Sequence, residues 1–198
     1  MPNSIEFKFD IKKEKFSLDV LKKLLKKVAG NEFNEKGIST VRSANPNDPV
    51  YYHYHHNNKS EEIGVSISWY EKSNRLVLFV PNWKNGPSYC ISVIKSIYFI
   101  LKCGGYGRET FAFDEESNYH TKEEIDKTRI WSVNLFTPEE VKKYGRKKVL
   151  SAPCEIIEEL EDGAIITIIR KENFYSVKYS FYSTFEEREK LRKHLNAK

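Results

Sequence analysis

The stretch Ile63-Gly64-Val65-Ser66-Ile67-Ser68-Trp69-Tyr70 decides the fold of this 198-residue chain. Large apolar side chains alternate along it with small or polar ones, which is the period of a β-strand with one buried and one polar face. The segments on either side, 50–56 and 75–80, also predict strands, and the second of them is apolar from position 76 onward. Because only short polar segments separate the three, the pattern predicts an antiparallel meander.

Helices are predicted on both sides of this meander. A strand at 5–9 leads into an amphipathic helix that Ser17 can cap and Gly30 can end. The apolar stripe of that helix consists of Leu18, Leu21, Leu24, Leu25 and Val28. After the meander, prolines and turn residues break the chain, and an apolar helix begins at Tyr89 and stops at the glycines of 104–105. The order of elements to this point is β-α-β-β-β-α.

The same order recurs in the second half of the chain. Thr137, Pro138 and Glu140 form a capping box with proline at the first helical position, and Gly145 can end the short helix that they begin. The Asp162-Gly163 pair is a strong signal for a hairpin turn. The remaining elements of this half are strands at 129–136, 155–160, 164–170 and 174–181, and a closing helix capped by Thr184 and Glu187.

These patterns predict an α+β fold, with a mostly antiparallel sheet and helices packed on one face. Residues 1–108 form the first β-α-β-β-β-α unit, 109–128 an acidic connection, and 129–198 the second unit. Two readings of this symmetry stay open: a pseudo-repeat of architecture, or two unrelated halves around one sheet. In either case we expect one compact domain.

Composition places the chain among globular proteins, because 39% of the residues are hydrophobic and 31% are charged. Its three cysteines, Cys90, Cys103 and Cys154, form neither a disulfide framework nor a CxxC motif. The first residues contain no apolar signal core. We therefore expect a cytoplasmic protein. The longest apolar stretch, 89–102, is too short to span a bilayer and contains Lys95, so we expect no membrane segment.

Two features could carry catalytic chemistry. Tyr51, His53 and His55 would project to the same face of a strand, where two histidines can chelate a metal. Zinc needs further ligands that no motif in the chain supplies, so we expect neither a metal nor a cofactor. Cys90 falls in the first turn of its helix, where a thiolate is stabilised, but its apolar neighbours favour a buried structural cysteine. A cysteine- or histidine-dependent enzyme stays an alternative.

The basic residues are denser in two patches of a chain whose formal net charge is +5. The first patch contains Lys12, Lys13, Lys15, Lys22, Lys23, Lys26 and Lys27, and the second contains Lys142, Lys143, Arg146, Lys147 and Lys148. With the aromatic run Tyr51, Tyr52 and Tyr54, these patches leave nucleic-acid binding as a second alternative. An acidic stretch at 114–126 opposes it, and solvated helix faces are the simpler explanation for the patches.

A surface for a protein partner is predicted where large side chains fall in breaks between elements. Trp83 and Asn85 lie in the break before the apolar helix, and Tyr106, Arg108 and Glu109 lie in the break after it. A helix of that length separates its two ends by roughly 20 Å, so the two breaks are alternative sites. We favour the Trp83 loop, because an exposed tryptophan often dominates the energy of an interface.

The second half of the chain also carries a family-like pattern. It runs Trp-Ser-Val-Asn-Leu-Phe from Trp131, then Thr-Pro-Glu-Glu-Val-Lys-Lys-Tyr-Gly to Gly145, then Leu150, Ala152, Pro153, Glu159, Leu160 and the Asp162-Gly163 turn. This third of the chain resembles the C-terminal part of bacterial immunity proteins from polymorphic-toxin and type VI secretion systems.

The resemblance implies a cytoplasmic, non-enzymatic protein that neutralises a cognate toxin by binding it. The basic charge of the chain then argues against a nuclease toxin, whose positive surface would need an acidic partner.

Overall fold

The computed structural model describes residues 4–11, 16–41, 51–58, 63–70, 75–81, 86–110, 130–169 and 185–197. Nine strands in this part form one antiparallel sheet in the order β2-β3-β4-β5-β1-β6-β7-β9-β8. The strands are β1 (Ser4–Phe9), β2 (Ser39–Val41), β3 (Tyr51–Asn58), β4 (Ile63–Tyr70), β5 (Arg75–Pro81), β6 (Gly105–Thr110), β7 (Val133–Phe136), β8 (Ile156–Glu159) and β9 (Ile165–Ile168). The helices are α1 (Leu18–Ala29), α2 (Gly86–Leu101), α3 (Pro138–Tyr144), α4 (Arg146–Leu150) and α5 (Phe185–Leu195).

The predicted α+β class is confirmed, and the meander pairs as the period-2 pattern requires. In register, Tyr54 of β3 lies opposite Ile67 of β4, and Ile67 lies opposite Leu78 of β5. Leu78 in turn lies opposite Phe7 of the central strand β1. These four side chains are buried and share one face of the sheet. Helices α1 and α2 cover this face and contribute Leu21, Leu24, Leu25, Ile94 and Ile97 to the same core.

Helices lie on both faces of the sheet, which corrects the expectation of a single covered face. Along β9, Ile166 and Ile168 belong to the core beneath α1 and α2, whereas Ile165 points the other way. Ile165 packs in a second core with residues of α3, α4 and α5, including Val141, Val149, Leu191 and Leu195. The β7-β9-β8 end of the sheet is therefore a layer between two sets of helices.

The capping residues act as the sequence predicts. Ser17 Oγ accepts a hydrogen bond from the backbone N–H of Val20 at the start of α1. At the start of α3, Thr137 Oγ1 accepts from the Glu140 N–H at 3.3 Å, and Glu140 Oε2 accepts from the Thr137 N–H at 2.8 Å. This reciprocal pair is the capping box, and it satisfies two backbone donors that the helix leaves without partners.

Strand β6 differs from the sequence prediction, which placed a break after the apolar helix. The segment pairs with β1 on one side and β7 on the other, so it joins the two halves into one sheet. The structure also adds the short edge strand β2 between α1 and β3, and the pseudo-repeat of the two halves is not confirmed. The predicted strand at 174–181 and the Thr184 cap lie outside the described residues.

Helix α2 packs most of its described residues against the core and leaves one side exposed. Cys90, Ile94 and Ile97 are completely buried against the sheet. On the opposite side, Ser92 is exposed, and 68% of the Phe99 surface is accessible to solvent. Phe99 is the large hydrophobic side chain that the described part of the chain leaves exposed.

Candidate functional site

The groove between α2 and the β8–β9 hairpin is the first candidate site. It has a volume of about 430 Å³ and is lined by Lys95, Tyr98, Phe99, Lys102, Glu158, Glu159, Leu160, Glu161 and Asp162. One wall is therefore helical and partly aromatic, and the other is an acidic turn. A groove of this size can hold a few side chains of a partner.

The turn between β8 and β9 lines this groove, and its sequence favours a tight turn. Gly163 adopts φ +85°, a left-handed conformation that suits glycine, and its N–H donates to the carbonyl oxygen of Leu160 at 2.9 Å. Asp162 Oδ1 accepts from the N–H of Ala164, and this local bond leaves Oδ2 directed at α2. The turn predicted from Asp162-Gly163 thus also positions a carboxylate over the helix.

Ionic contacts tie the hairpin to α2. Lys95 forms an ion pair with Glu158. Asp162 Oδ2 accepts hydrogen bonds from Lys102 Nζ at 2.7 Å and from the Tyr98 hydroxyl at 2.9 Å. Partial burial works to raise the pKa of Asp162, but the bonds from Lys102 and Tyr98 outweigh it and hold that pKa below its usual value. Burial, reinforced by the Asp162 carboxylate, raises the pKa of Tyr98, so Tyr98 is a neutral donor.

Phe99 forms the outer rim of the groove, next to helix α1. Lys27 Nζ of α1 lies 5.6 Å from the ring centroid, and Lys102 Nζ of α2 lies 5.5 Å from it. Both ammonium groups are within the range of a cation–π contact. Phe99 is therefore an exposed apolar side chain held between two cations.

Lys27, which lies beside this ring, belongs to the first lysine patch. Lys23, Lys26 and Lys27 project from the exposed side of α1, whereas Lys22 is paired with Glu35. Phe99 was not among the predicted site residues, because the apolar residues of α2 outnumber the polar ones, Ser92, Lys95 and Ser96, that mark its exposed side. The helical spacing of Ser92 and Phe99, two turns apart, was the available signal.

The predicted partner residues fall into two groups. Trp83 and Asn85 lie outside the described residues. Tyr106 is a buried residue of β6, where it clusters with Trp131. Arg108 and Glu109 lie on the same strand, in register with Glu6 and Ile5 of β1. The segment 105–110 is thus part of the sheet rather than a loop, while the proposed contact of these residues with a partner stays a prediction.

The histidines of β3 are the second candidate site. His53 Nδ1 lies 2.9 Å from Ser68 Oγ, and His55 Nδ1 lies 2.9 Å from Ser66 Oγ. Each serine is the cross-strand partner of its histidine, which gives both hydrogen bonds a structural origin. Within the residues that the structure describes, no group of three or more histidine, cysteine, aspartate or glutamate side chains could hold a metal ion.

The three cysteines are free thiols: Cys90 is buried, and Cys103 and Cys154 are partly buried. Burial raises the pKa of Cys90, a completely buried residue of α2, to about 12. Burial likewise raises the pKa of Cys103 and of Cys154 to about 12. At neutral pH all three are protonated and poor nucleophiles. The helix N-terminus near Cys90 does not offset this loss of solvation.

We expect acidification to destabilise the fold through His56 and His53. Burial lowers the pKa of both imidazoles, and for His56 the pair with Glu32 at 3.7 Å opposes that effect without overcoming it. The folded state therefore binds fewer protons than the unfolded chain below about pH 6.5. Stability is full above that pH and falls as the pH drops toward the folded-state pKa values.

The measurement is the urea midpoint as a function of pH. His56→Asn should show a smaller fall between about pH 7.5 and pH 5 than the parent protein. His194→Asn, on α5, is the control for the loss of a histidine elsewhere. An unchanged pH dependence in His56→Asn would contradict this assignment.

The comparisons with known proteins add no relative. Neither a protein-family model nor a curated protein matches the chain. Among the described helices, none is long and apolar enough to cross a membrane. The case for a function therefore rests on the chemistry of the surface.

Proposed function

We propose that this chain is a non-enzymatic binding protein of the immunity type, which neutralises a cognate bacterial toxin in the cytoplasm by binding it. The observation that carries the proposal is the exposure of Phe99 at the rim of a groove, while the large side chains around it are packed in the core. Exposed aromatic side chains beside a concave surface are typical of protein interfaces. The resemblance of 131–163 to immunity proteins supports the same conclusion.

The alternative of a cysteine- or histidine-dependent enzyme receives less support from the same geometry. The Cys90 thiol is buried and its pKa is raised to about 12, which is the opposite of what nucleophilic catalysis requires. His53 and His55 are held by serines of the neighbouring strand. These side chains have structural roles that account for their positions.

Nucleic-acid binding is the second candidate, because Lys27 lies next to an exposed aromatic ring and Lys23 and Lys26 are exposed on the same helix. Single-stranded nucleic acids bind where bases stack on aromatic side chains and phosphates meet cations. A gel shift that weakens steeply with salt would support this function.

The product of the gene immediately upstream provides the test of the immunity function. When it is produced in a bacterial host, growth should stop, and production of this protein in the same cells should restore growth. Rescue without a stable complex between the two purified proteins would contradict neutralisation by binding. An upstream product without toxicity would remove the immunity proposal.

We expect Trp83→Ala to weaken capture of the cognate toxin at least about tenfold, because truncating an interface tryptophan commonly costs ~2 kcal/mol or more of binding free energy. The melting temperature should stay within a few degrees of the parent value. Isothermal titration with the purified toxin measures the first quantity and circular dichroism the second. A variant that melts much earlier yet binds normally once folded would make Trp83 a lid on the core.

A further inference from the structure

We propose that the partner docks on the ridge formed by Phe99 and the exposed face of α1, and that it is a protein whose carboxylates surround an apolar pocket for Phe99. This inference rests on the proposed function and names the chemistry of the partner's contact surface. It assigns the docking contact to α1 and α2, as the alternative to the predicted contact through Trp83.

The charge around Phe99 is positive on the side of α1. Lys23, Lys26 and Lys27 are exposed there, and within the described part of the chain none of the three forms an ion pair. Three ammonium groups within two turns of one helix create a local field that favours an anionic surface. A partner that buried Phe99 would bring its own groups within reach of these lysines.

The acidic hairpin on the other side of α2 does not neutralise this field. Glu158 is paired with Lys95, Asp162 with Lys102, and Glu159 with Arg146. Glu161 is left as the exposed acidic residue of the turn without an ion pair in the described structure. The ridge therefore keeps an excess of positive charge, and complementarity requires a negatively charged partner.

The surroundings of the ring favour a protein over a nucleic acid. Base stacking needs the face of an aromatic ring, and Lys27 and Lys102 each place an ammonium group over Phe99. Insertion into an apolar pocket instead uses the outer edge of the side chain and leaves Lys27 at the rim, where it can meet a carboxylate. The acidic hairpin also interrupts any basic track that could follow a phosphate backbone.

A second copy of this chain fits the ridge less well. Two copies that each carry a formal net charge of +5 repel each other, and the one turn residue without an ion pair, Glu161, cannot balance three lysines. Self-association is therefore an outcome of the test rather than the proposal.

The test is a selection of peptides that bind the immobilised full chain from a random dodecapeptide display library. Peptides that also bind the Phe99→Ser variant are removed first. We expect the enriched peptides to combine net negative charge with at least one large apolar residue. Fluorescence anisotropy with one enriched peptide should show binding weakened at least about tenfold by Phe99→Ser, and also by Lys23→Gln, Lys26→Gln and Lys27→Gln combined. Added salt should weaken it as well.

The matched control replaces Lys142, Lys143 and Lys147 with glutamine, which removes the same charge from the second lysine patch on α3 and α4. It should bind the peptide as the parent protein does. Circular dichroism should show that all variants melt within a few degrees of the parent, since every altered side chain is exposed.

Several results would overturn the proposal. In the selection, these are enrichment of basic peptides, or no peptide that binds the parent protein better than Phe99→Ser. In the binding assay, it is a control variant that loses as much affinity as the lysine variant on α1. Two further results would favour another occupant: Phe99-dependent binding of a 20-nucleotide oligo-dT, or a dimer in light scattering that Phe99→Ser dissociates. None of these results predicts the outcome of the growth-rescue experiment, because rescue requires only that the protein bind the toxin, through any surface.

Discussion

Gly105→Val should lower the free energy of unfolding by about 3 kcal/mol or more, because β6 has no room for a side chain at this position. A Cβ atom on Gly105 would lie 2.5 Å from Phe7 Cε1 and 2.6 Å from the carbonyl oxygen of Lys8. Phe7 is completely buried in the central strand, and the Lys8 carbonyl belongs to the backbone. Neither the Phe7 ring nor the Lys8 carbonyl can move away unless β1 separates from β6. Urea unfolding measured by circular dichroism gives the loss directly.

Thr40→Val is the matched control for this variant. Thr40 is an exposed residue of the edge strand β2, so a new valine there should change stability by no more than about 0.5 kcal/mol. If Gly105→Val were as stable as the control, the spacing of the central strands would be adjustable. The inference that Gly105 is needed for the close approach of β6 to β1 would then be wrong.

Ile94→Ala should cost about 2–5 kcal/mol, because it opens a cavity in the core that α2 shares with the sheet. Ile94 is completely buried, in the same cluster as Leu24 of α1 and Leu78 of β5. Such a loss lowers the melting temperature of a chain of this size by roughly 5 °C or more. Thermal denaturation at neutral pH is the measurement.

Phe99→Ala provides the comparison within the same helix. The larger side chain is lost, yet 68% of it is exposed, so we expect a change within about 0.5 kcal/mol. Equal losses for the two variants would show that Phe99 is packed in the folded protein, and the ridge would cease to be a docking surface. The pair of variants therefore tests the core and the candidate site together.

Regular alternation and capping chemistry made much of the fold predictable. The strands β1 and β4 follow from side chains that alternate every second residue, and β5 follows from an uninterrupted apolar run. The structure pairs β3, β4, β5 and β1 in that order, each antiparallel to the next. The start of α3 follows from Thr137 and Glu140, whose reciprocal bonds depend only on residues three apart. Local signals of this kind do not need the tertiary structure.

Features that depend on distant contacts were not predictable in the same way. Strand β6 has no alternating pattern, and its glycines look like a helix stop until Phe7 is seen beside Gly105. The second layer of helices packs on the side of β9 that faces Val149 and Leu191. Because β9 is a short strand with apolar residues on both sides, its sequence does not show which residues face which helices. The candidate site was missed for a similar reason, since Phe99 is one apolar residue among many in α2.

The central place of β1 has a consequence for how the chain is made. The ribosome delivers β1 before the other strands of the sheet, but its neighbour β5 emerges only after α1 and three further strands, and its neighbour β6 only after α2. Until then the strand has no lasting neighbour on either edge, and its buried phenylalanines stay available to chaperones and to other nascent chains. The middle of the sheet is therefore completed late, through contacts between segments far apart in the chain, and such closure is slow.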